Sequence, residues 1–320
     1  MTQPTTQLRL ALDWTPNTNH TGFYVAEAKG YYAASGLEVI ITTPEQDNYQ
    51  LSPAKQLAEQ RVELAVAPSE SVLSYHSLSA AHPKLCAIAT LLQEDTSAIV
   101  TLCSSQLDRP AKLDGRVYAS YNARFEDAIV RLMIRQDGGQ GDFKTVTPAK
   151  LGIPYTLKQG TADATWVFMG WEGIEAQRQG EQLHAFRLAD YDLPYGYTPV
   201  LVAHPDSLKT RAEALQAFLA ATARGYQFAA AAPDEAADIL CDLAQHSSLS
   251  DRDFVRESQH YLSSHYLTPD GHWGRMAAER WQMFIDWLIN ERILTNLDGS
   301  PLQASDLQLE QVFSNAYLPA

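Results

Sequence analysis

Asp13, Trp14, Asn17, Asn19 and His20 stand close together in this 320-residue chain. Before them runs a segment with Leu8, Leu10 and Leu12 on one face, and after them one carrying Tyr24, Val25 and Ala28. An acid, an indole, two amides and an imidazole at one place can read a small, flat, polar molecule. The indole stacks on a ring, the carboxylate accepts from an amino group, and the amides and imidazole work at the edges. The same side chains can instead satisfy backbone groups in a strand-to-helix turn, where Asp and Asn are common. Trp14 can equally lie in a core.

Three other places offer related chemistry. Ser69, Glu70 and Ser71 follow Pro68 at the end of an apolar run. Either serine can cap the next helix, and Glu70 can accept from a ligand or simply favour the first helical turn. Ser120 to Glu126 (Ser-Tyr-Asn-Ala-Arg-Phe-Glu) reads as a turn entering a helix, whose N–H groups can meet an anion with help from Arg124. It contains no glycine, which limits how closely its backbone can wrap a phosphate, so an ordinary capped helix competes. Trp171 and Glu172 follow the strand-like run 164–168, with Gly170 and Gly173 permitting a close approach, while Trp166 inside that run reads as core. The binding set expected from these places is Asp13, Trp14, Asn19, His20, Ser69, Glu70, Tyr121, Asn122, Glu126, Trp171, Glu172 and Tyr197. Within it Asp13, Glu70 and Glu172 are the acceptors for ligand amino groups. Trp14 and Tyr197 form an aromatic clamp, with Trp171 assisting. No catalytic residue and no metal ligand is assigned.

Strand-like and helix-like segments alternate along the chain, which predicts an α/β fold with largely parallel sheets. Strands are expected over 8–12, 37–42, 62–67, 85–92, 97–102, 117–120, 164–168 and 199–203. Helices are expected over 22–34, 51–60, 124–135, 171–178, 211–232, 233–245, 251–264 and 274–291. All four polar clusters fall where a strand gives way to a loop or helix, the usual ligand edge of an open α/β sheet. Runs 97–102 and 199–203 are read as crossings between two lobes, a hinge with a ligand cleft.

A hydrophobic fraction of 45% over this length supports a substantial core. A formal charge of -14, without a basic run, argues against a nucleic-acid surface and against an anionic membrane. Cys86, Cys103 and Cys241 are scattered and odd in number, so they read as buried thiols and not as a disulfide framework or zinc site. No histidine pair has metal-ligand spacing, and no P-loop, GxSxG or nucleophile–base pair is evident. The start, Met-Thr-Gln-Pro-Thr-Thr-Gln, has no apolar leader, and no run approaches the roughly 18–20 apolar residues of a membrane span. A cytoplasmic location is expected if Met1 is native, and an extracytoplasmic one if a leader has been removed.

Residues Ala11 to His20 (Ala-Leu-Asp-Trp-Thr-Pro-Asn-Thr-Asn-His), with Gly30-Tyr-Tyr and Gly36-Leu-Glu-Val, resemble the opening of a known family. It is the thiamine-pyrimidine family of periplasmic-binding-protein-like proteins, which includes formylaminopyrimidine-binding proteins and the fungal hydroxymethylpyrimidine phosphate synthase. Similarity continues through 124–130, 163–175 and 191–201. The resemblance implies a type II periplasmic-binding-protein-like fold, with residues 1–97 plus 200–320 in lobe I and 98–199 in lobe II. It also implies a small aromatic heterocycle as ligand, most directly a thiamine pyrimidine precursor, with an ABC permease as the partner. An alternative is a cytoplasmic enzyme or sensor on the same scaffold.

The departures matter as much. Where the synthase needs a lysine and, four residues on, a histidine, this chain has Ala67 and Ser71, and 190–198 holds no cysteine. A Schiff base needs an amine and iron needs ligands, so synthase chemistry is disfavoured and no cofactor is expected. The glycine-rich phosphate loop of the synthase is replaced by Tyr121, Asn122, Ala123 and Arg124. Thr198 stands where related binding proteins can carry a glutamate, and a hydroxyl cannot reproduce a carboxylate's pair of acceptors.

Overall fold

The alternation at the start of the chain builds the first strand. In the computed structural model, which describes residues 5–79, 81–148, 152–303 and 306–319, β1 (Thr6–Ala11) buries Leu8 and Leu10 while Thr6 and Gln7 face solvent. Residues 1–4, on which the reading of the amino terminus leans, lie outside the described residues. The chain divides into two units, one comprising residues up to Asp95 and from Gly196 onward, the other Thr96–Tyr195.

In the first unit β1 leads through a polar turn into α1 (Thr21–Ala28) and α2 (Tyr31–Ala34), then β2 (Leu37–Thr42), α3 (Pro53–Ala58), β3 (Leu64–Ala67), α4 (Ser69–His76) and β4 (Cys86–Thr90). The single helix expected over 22–34 is two helices, because Gly30 takes a left-handed φ of 69° that no helix can pass through. Helix α3 is shorter than 51–60. The Ser52 hydroxyl accepts from the Lys55 N–H, Pro53 fills the first turn, and Gln60 turns left-handed beyond the end.

The second unit contains β5 (Ser97–Leu102), β6 (Val117–Ala119), α5 (Glu126–Gln136), β7 (Lys144–Val146), β8 (Ala164–Phe168), α6 (Ile174–Arg178) and β9 (Leu183–Phe186). After it the first unit resumes with β10 (Val200–Ala203) and a helical region. This comprises α7 (Pro205–Thr210), α8 (Ala212–Ala231), α9 (Pro233–Ala244), α10 (Arg252–Ser263), α11 (Ala278–Asn290) and α12 (Leu309–Val312). Helix α11 starts later than the expected 274. Gly274 adopts a φ of 86°, and its carbonyl accepts from the Thr90 N–H beside β4.

Each unit is built on a five-stranded sheet of one plan. The first runs β2-β1-β3-β10-β4 and the second β7-β6-β8-β5-β9. In the first, β1 is parallel to β2 (Leu8 opposite Val39) and to β3, and β10 is antiparallel to β3 and β4. In the second, β6 is parallel to β7 and β8, and β5 is antiparallel to β8 and β9. Central strands β3 and β10 are buried along their whole length, which is why their sequences, LAVA and VLVA, are apolar without alternation. The second unit has its own core around Val100, Val167, Ile153 and Leu157.

Two glycines set the closest helix packing in the first unit. A Cβ on Gly225 of α8 would stand 2.0 Å from the carbonyl oxygen of Gly22 in α1, and a Cβ on Gly22 would meet the Tyr226 ring at 2.1 Å. Only glycine permits that approach. Tyr226 then stacks on Trp273 at 4.7 Å between ring centres and donates from its hydroxyl to the Asn19 carbonyl at 2.7 Å. Among the described residues no helix is long and apolar enough to cross a membrane.

Candidate ligand-binding site

The turn after β1 is held from both sides. Asn17 begins a short 3-10 turn, its side-chain oxygen accepting from the Asn19 N–H at 2.9 Å while its own N–H donates to Nδ1 of His20 at 3.3 Å. Because Nδ1 accepts a backbone proton, it carries the lone pair, and Nε2 carries the hydrogen. That hydrogen points at Oδ1 of Asp13, 2.8 Å away. His20 is fully buried, whereas the Asp13 side chain keeps 24% of its exposure. The imidazole therefore orients the carboxylate from behind, leaving Oδ2 as the oxygen not committed to His20. Beneath the turn, Thr18 pairs with Ser258 at 2.6 Å, Thr21 donates to Gln259 at 2.7 Å, and the Tyr266 hydroxyl donates to the Thr18 carbonyl at 2.6 Å.

Trp14 is 39% exposed at the top of this turn, so the core reading of its indole is set aside. Its ring lies 5.9 Å from that of Tyr49, which is 52% exposed. Burial and the nearby charge of Glu45 push the Tyr24 hydroxyl up to about 12. Glu70 lies in the first turn of α4, with neither Ser69 nor Ser71 capping it. The capping expectation is corrected by the packing. Pro68 occupies the cap position, Ser69 is buried with its N–H on the Tyr197 carbonyl, and Gly196 passes so near that a Cβ there would lie 2.6 Å from the Ser69 Oγ.

In the second unit the segment 120–126 closes on itself. The buried Glu126 carboxylate accepts from the Tyr118 hydroxyl at 2.7 Å, the Tyr121 N–H at 3.1 Å and the Ala123 N–H at 3.2 Å. Burial raises its pKa even against those hydrogen bonds. Asn122, exposed, carries the left-handed φ of 59° that a glycine would otherwise supply, and its N–H donates to the Ser120 hydroxyl. The Tyr121 and Ala123 N–H groups at the entry to α5 are thus occupied by the chain's own carboxylate.

After β8 the backbone makes a π-type turn over Met169–Gly173 before α6, where a regular helix was expected from 171. Such single π turns recur at functional sites. A Cβ on Gly173 would lie 2.9 Å from the Met169 side chain, which explains a glycine there. Glu172 accepts from the Phe168 N–H at 3.0 Å and is half-buried, and desolvation pushes its carboxyl up to about 7. Its charge also contributes to raising the pKa of Tyr121, although burial is the larger cause. Glu172, Tyr121 and the half-buried Trp171 therefore belong to this unit's candidate surface. Trp166 is buried beside Tyr195, as core.

The family model described as NMT1/THI5 like matches residues 17–236. The chain belongs to the NMT1/THI5-like family. It is 26% identical over 285 residues to the formylaminopyrimidine-binding protein of Halalkalibacterium halodurans, covering 88% of this chain and 84% of that one. To the riboflavin-binding protein RibY of Chloroflexus aurantiacus it is 24% identical over 326 residues, covering 99% and 88%. The alkanesulfonate-binding protein SsuA from Xanthomonas axonopodis pv. citri, solved bound to MOPS, superposes with a TM-score of 0.67 at 11% identity, covering 92% of this chain and 96% of that one. That likeness identifies the fold as the two-lobed α/β fold of periplasmic solute-binding proteins.

Within this family member one expected site residue has other work. Tyr197 is buried at 4% exposure, its hydroxyl accepts from the Ala277 N–H at 2.9 Å, and the Arg280 guanidinium covers its ring at 4.2 Å. The far wall of the expected clamp is thereby packed inside the first unit. Asn19 is buried too, its carbonyl taken by Tyr226. Tyr49, Glu45 and His246 were not anticipated; they have no motif spacing, and the one local signal is Asp47-Asn48, which favours a turn just before Tyr49. Cys86 and Cys241 are buried, Cys103 is half-buried, and burial pushes the Cys86 thiol up to about 12. Among the described residues no three His, Cys, Asp or Glu side chains gather where a metal could sit.

Proposed function

We propose that this chain is a solute-binding protein for a small aromatic heterocycle, a thiamine pyrimidine precursor, which it supplies to an ABC permease or to thiamine salvage. The observation that carries the reading is the Asp13 carboxylate, fixed at 2.8 Å by a buried His20 and standing beside the exposed indole of Trp14. A carboxylate held in place accepts from a 4-amino group without first losing side-chain freedom, and an indole covers the ring face. Membership of the NMT1/THI5-like family and the similarity to a protein named for formylaminopyrimidine binding support that ligand class.

Taken by itself, the second unit already commits the Tyr121 and Ala123 N–H groups to Glu126, and we read the ligand as unphosphorylated. Native mass spectrometry of the purified protein tests the ligand directly, followed by calorimetric titration with formylaminopyrimidine and with hydroxymethylpyrimidine phosphate. The expected result is a co-purified heterocycle and tighter binding of the unphosphorylated compound. No co-purified molecule together with no heat from either titrant would end the reading.

A further inference from the structure

Tyr49 belongs to a bulky residue type, yet its backbone φ is 59°, and Asn48 before it has a φ of 55°. Asn tolerates this left-handed region, whereas an aromatic residue there is strained and persists only where its surroundings enforce it. The surroundings do enforce it. The Tyr49 N–H donates to the Pro44 carbonyl at 2.9 Å, and both carboxylate oxygens of Asp47 take backbone N–H groups, from Gln50 and Leu51 at 3.2 Å each.

The loop is also fastened to the turn that carries Trp14. His246, between α9 and α10, meets Ser248 through Nδ1, with the Ser248 hydroxyl 2.8 Å and its N–H 3.1 Å away, and pairs with Glu45 through Nε2 at 2.9 Å. Ser248 then donates from its hydroxyl to the Pro16 carbonyl at 3.0 Å. One short segment therefore grips both the Tyr49 loop and the Trp14 turn. What this fastening presents is two exposed rings 5.9 Å apart and inclined at 56°. Strain held in place to present an exposed ring is economically explained by a use for that ring.

We propose that Tyr49 is a ligand-binding residue that forms, with Trp14, an aromatic platform for one flat heterocycle, and that His246 is the positioning residue that holds the platform together. This rests on the reading of the chain as a heterocycle-binding protein and adds the residue that selects for ring area. Tyr49→Asn is the informative variant, because asparagine keeps the left-handed backbone and removes the ring. Tyr49→Phe keeps the ring and removes the hydroxyl.

Wild type and both variants would be titrated with formylaminopyrimidine and with riboflavin, following Trp fluorescence and heat. Wild type should bind the pyrimidine. Tyr49→Asn should bind it about tenfold more weakly or worse, as expected for loss of one stacked ring, with an unchanged or higher Tm, and Tyr49→Phe should stay within about threefold of wild type. His246→Asn should weaken binding while leaving the Tm within a few degrees. Equal affinity of Tyr49→Asn and wild type for whichever ring binds would overturn the platform. Binding of riboflavin alone would overturn the pyrimidine reading, with the same comparison still judging the platform. Binding of neither ring would overturn both.

Discussion

Trp14 and Glu172 can each be tested by changing a single residue. Replacing Trp14 with Ala should weaken pyrimidine binding by about 1–3 kcal/mol, the worth of one aromatic stack. The exposed position implies a Tm within a few degrees of wild type. Calorimetry and a thermal melt distinguish this from a core role, which would reverse the two effects. Glu172 predicts a pH dependence. Its carboxyl is pushed from the usual 4.5 up to about 7 by burial, so the folded protein holds that proton more tightly than the unfolded chain does. The contribution to stability is complete below about pH 4.5 and is lost as pH rises through 7. Between pH 5 and 7.5 the Tm of wild type should therefore fall relative to Glu172→Gln, which cannot ionise; parallel melting curves would refute the assignment. The sequence offers Asp13, Trp14 and Glu172 as candidates because they sit at strand ends. Tyr49 escapes such a reading, because what singles it out is a backbone angle and a histidine brought from a distant part of the chain.

Two structural elements set the shape of the candidate surfaces. The α1–α8 crossing depends on Gly22 and Gly225, and a methyl group on Gly225 would stand 2.0 Å from a backbone carbonyl that has nowhere to retreat. Gly225→Ala should cost about 3 kcal/mol in urea unfolding, at the severe end for added volume in a packed site. It should also weaken pyrimidine binding, since Gly22 directly follows the turn. An unfolding midpoint equal to wild type would show that the helices can part without loss. At the start of α5, Glu126→Ala strips the acceptor from the Tyr118 hydroxyl and from two N–H groups. The loss should be about 2 kcal/mol, partly offset because burying that carboxylate is itself costly. The alternation of strands and helices was readable from periodicity, as was the apolar character of β3 and β10. Helix breaks at Gly30 and Gly274 were harder to read, because glycine marks a break only when its φ turns positive, which no residue letter states. The reading of 120–126 as an anion turn does not foresee that Glu126 folds back onto the Tyr121 and Ala123 N–H groups, since nothing in the spacing says so.

For the whole molecule, binding and stability are linked. A ligand that engages only the folded chain should, at one hundred times its Kd, add about 2.7 kcal/mol to unfolding. A thermal melt with formylaminopyrimidine reads this directly, and an unmoved Tm would count against the pyrimidine. Order of synthesis adds a further consequence. Strand β10 lies between β3 and β4 in its sheet, although the ribosome makes it only after all of Thr96–Tyr195 has appeared. The turn bearing Asp13 and Trp14 waits longer still, because its supports, Tyr226, Ser258, Gln259 and Tyr266, belong to the last third of the chain. A nascent chain arrested before Ser258 should already protect the contiguous 96–195 segment from protease while leaving Trp14 unable to report a ligand. The turn is thus completed only by residues made 240 and 248 positions after its own Thr18.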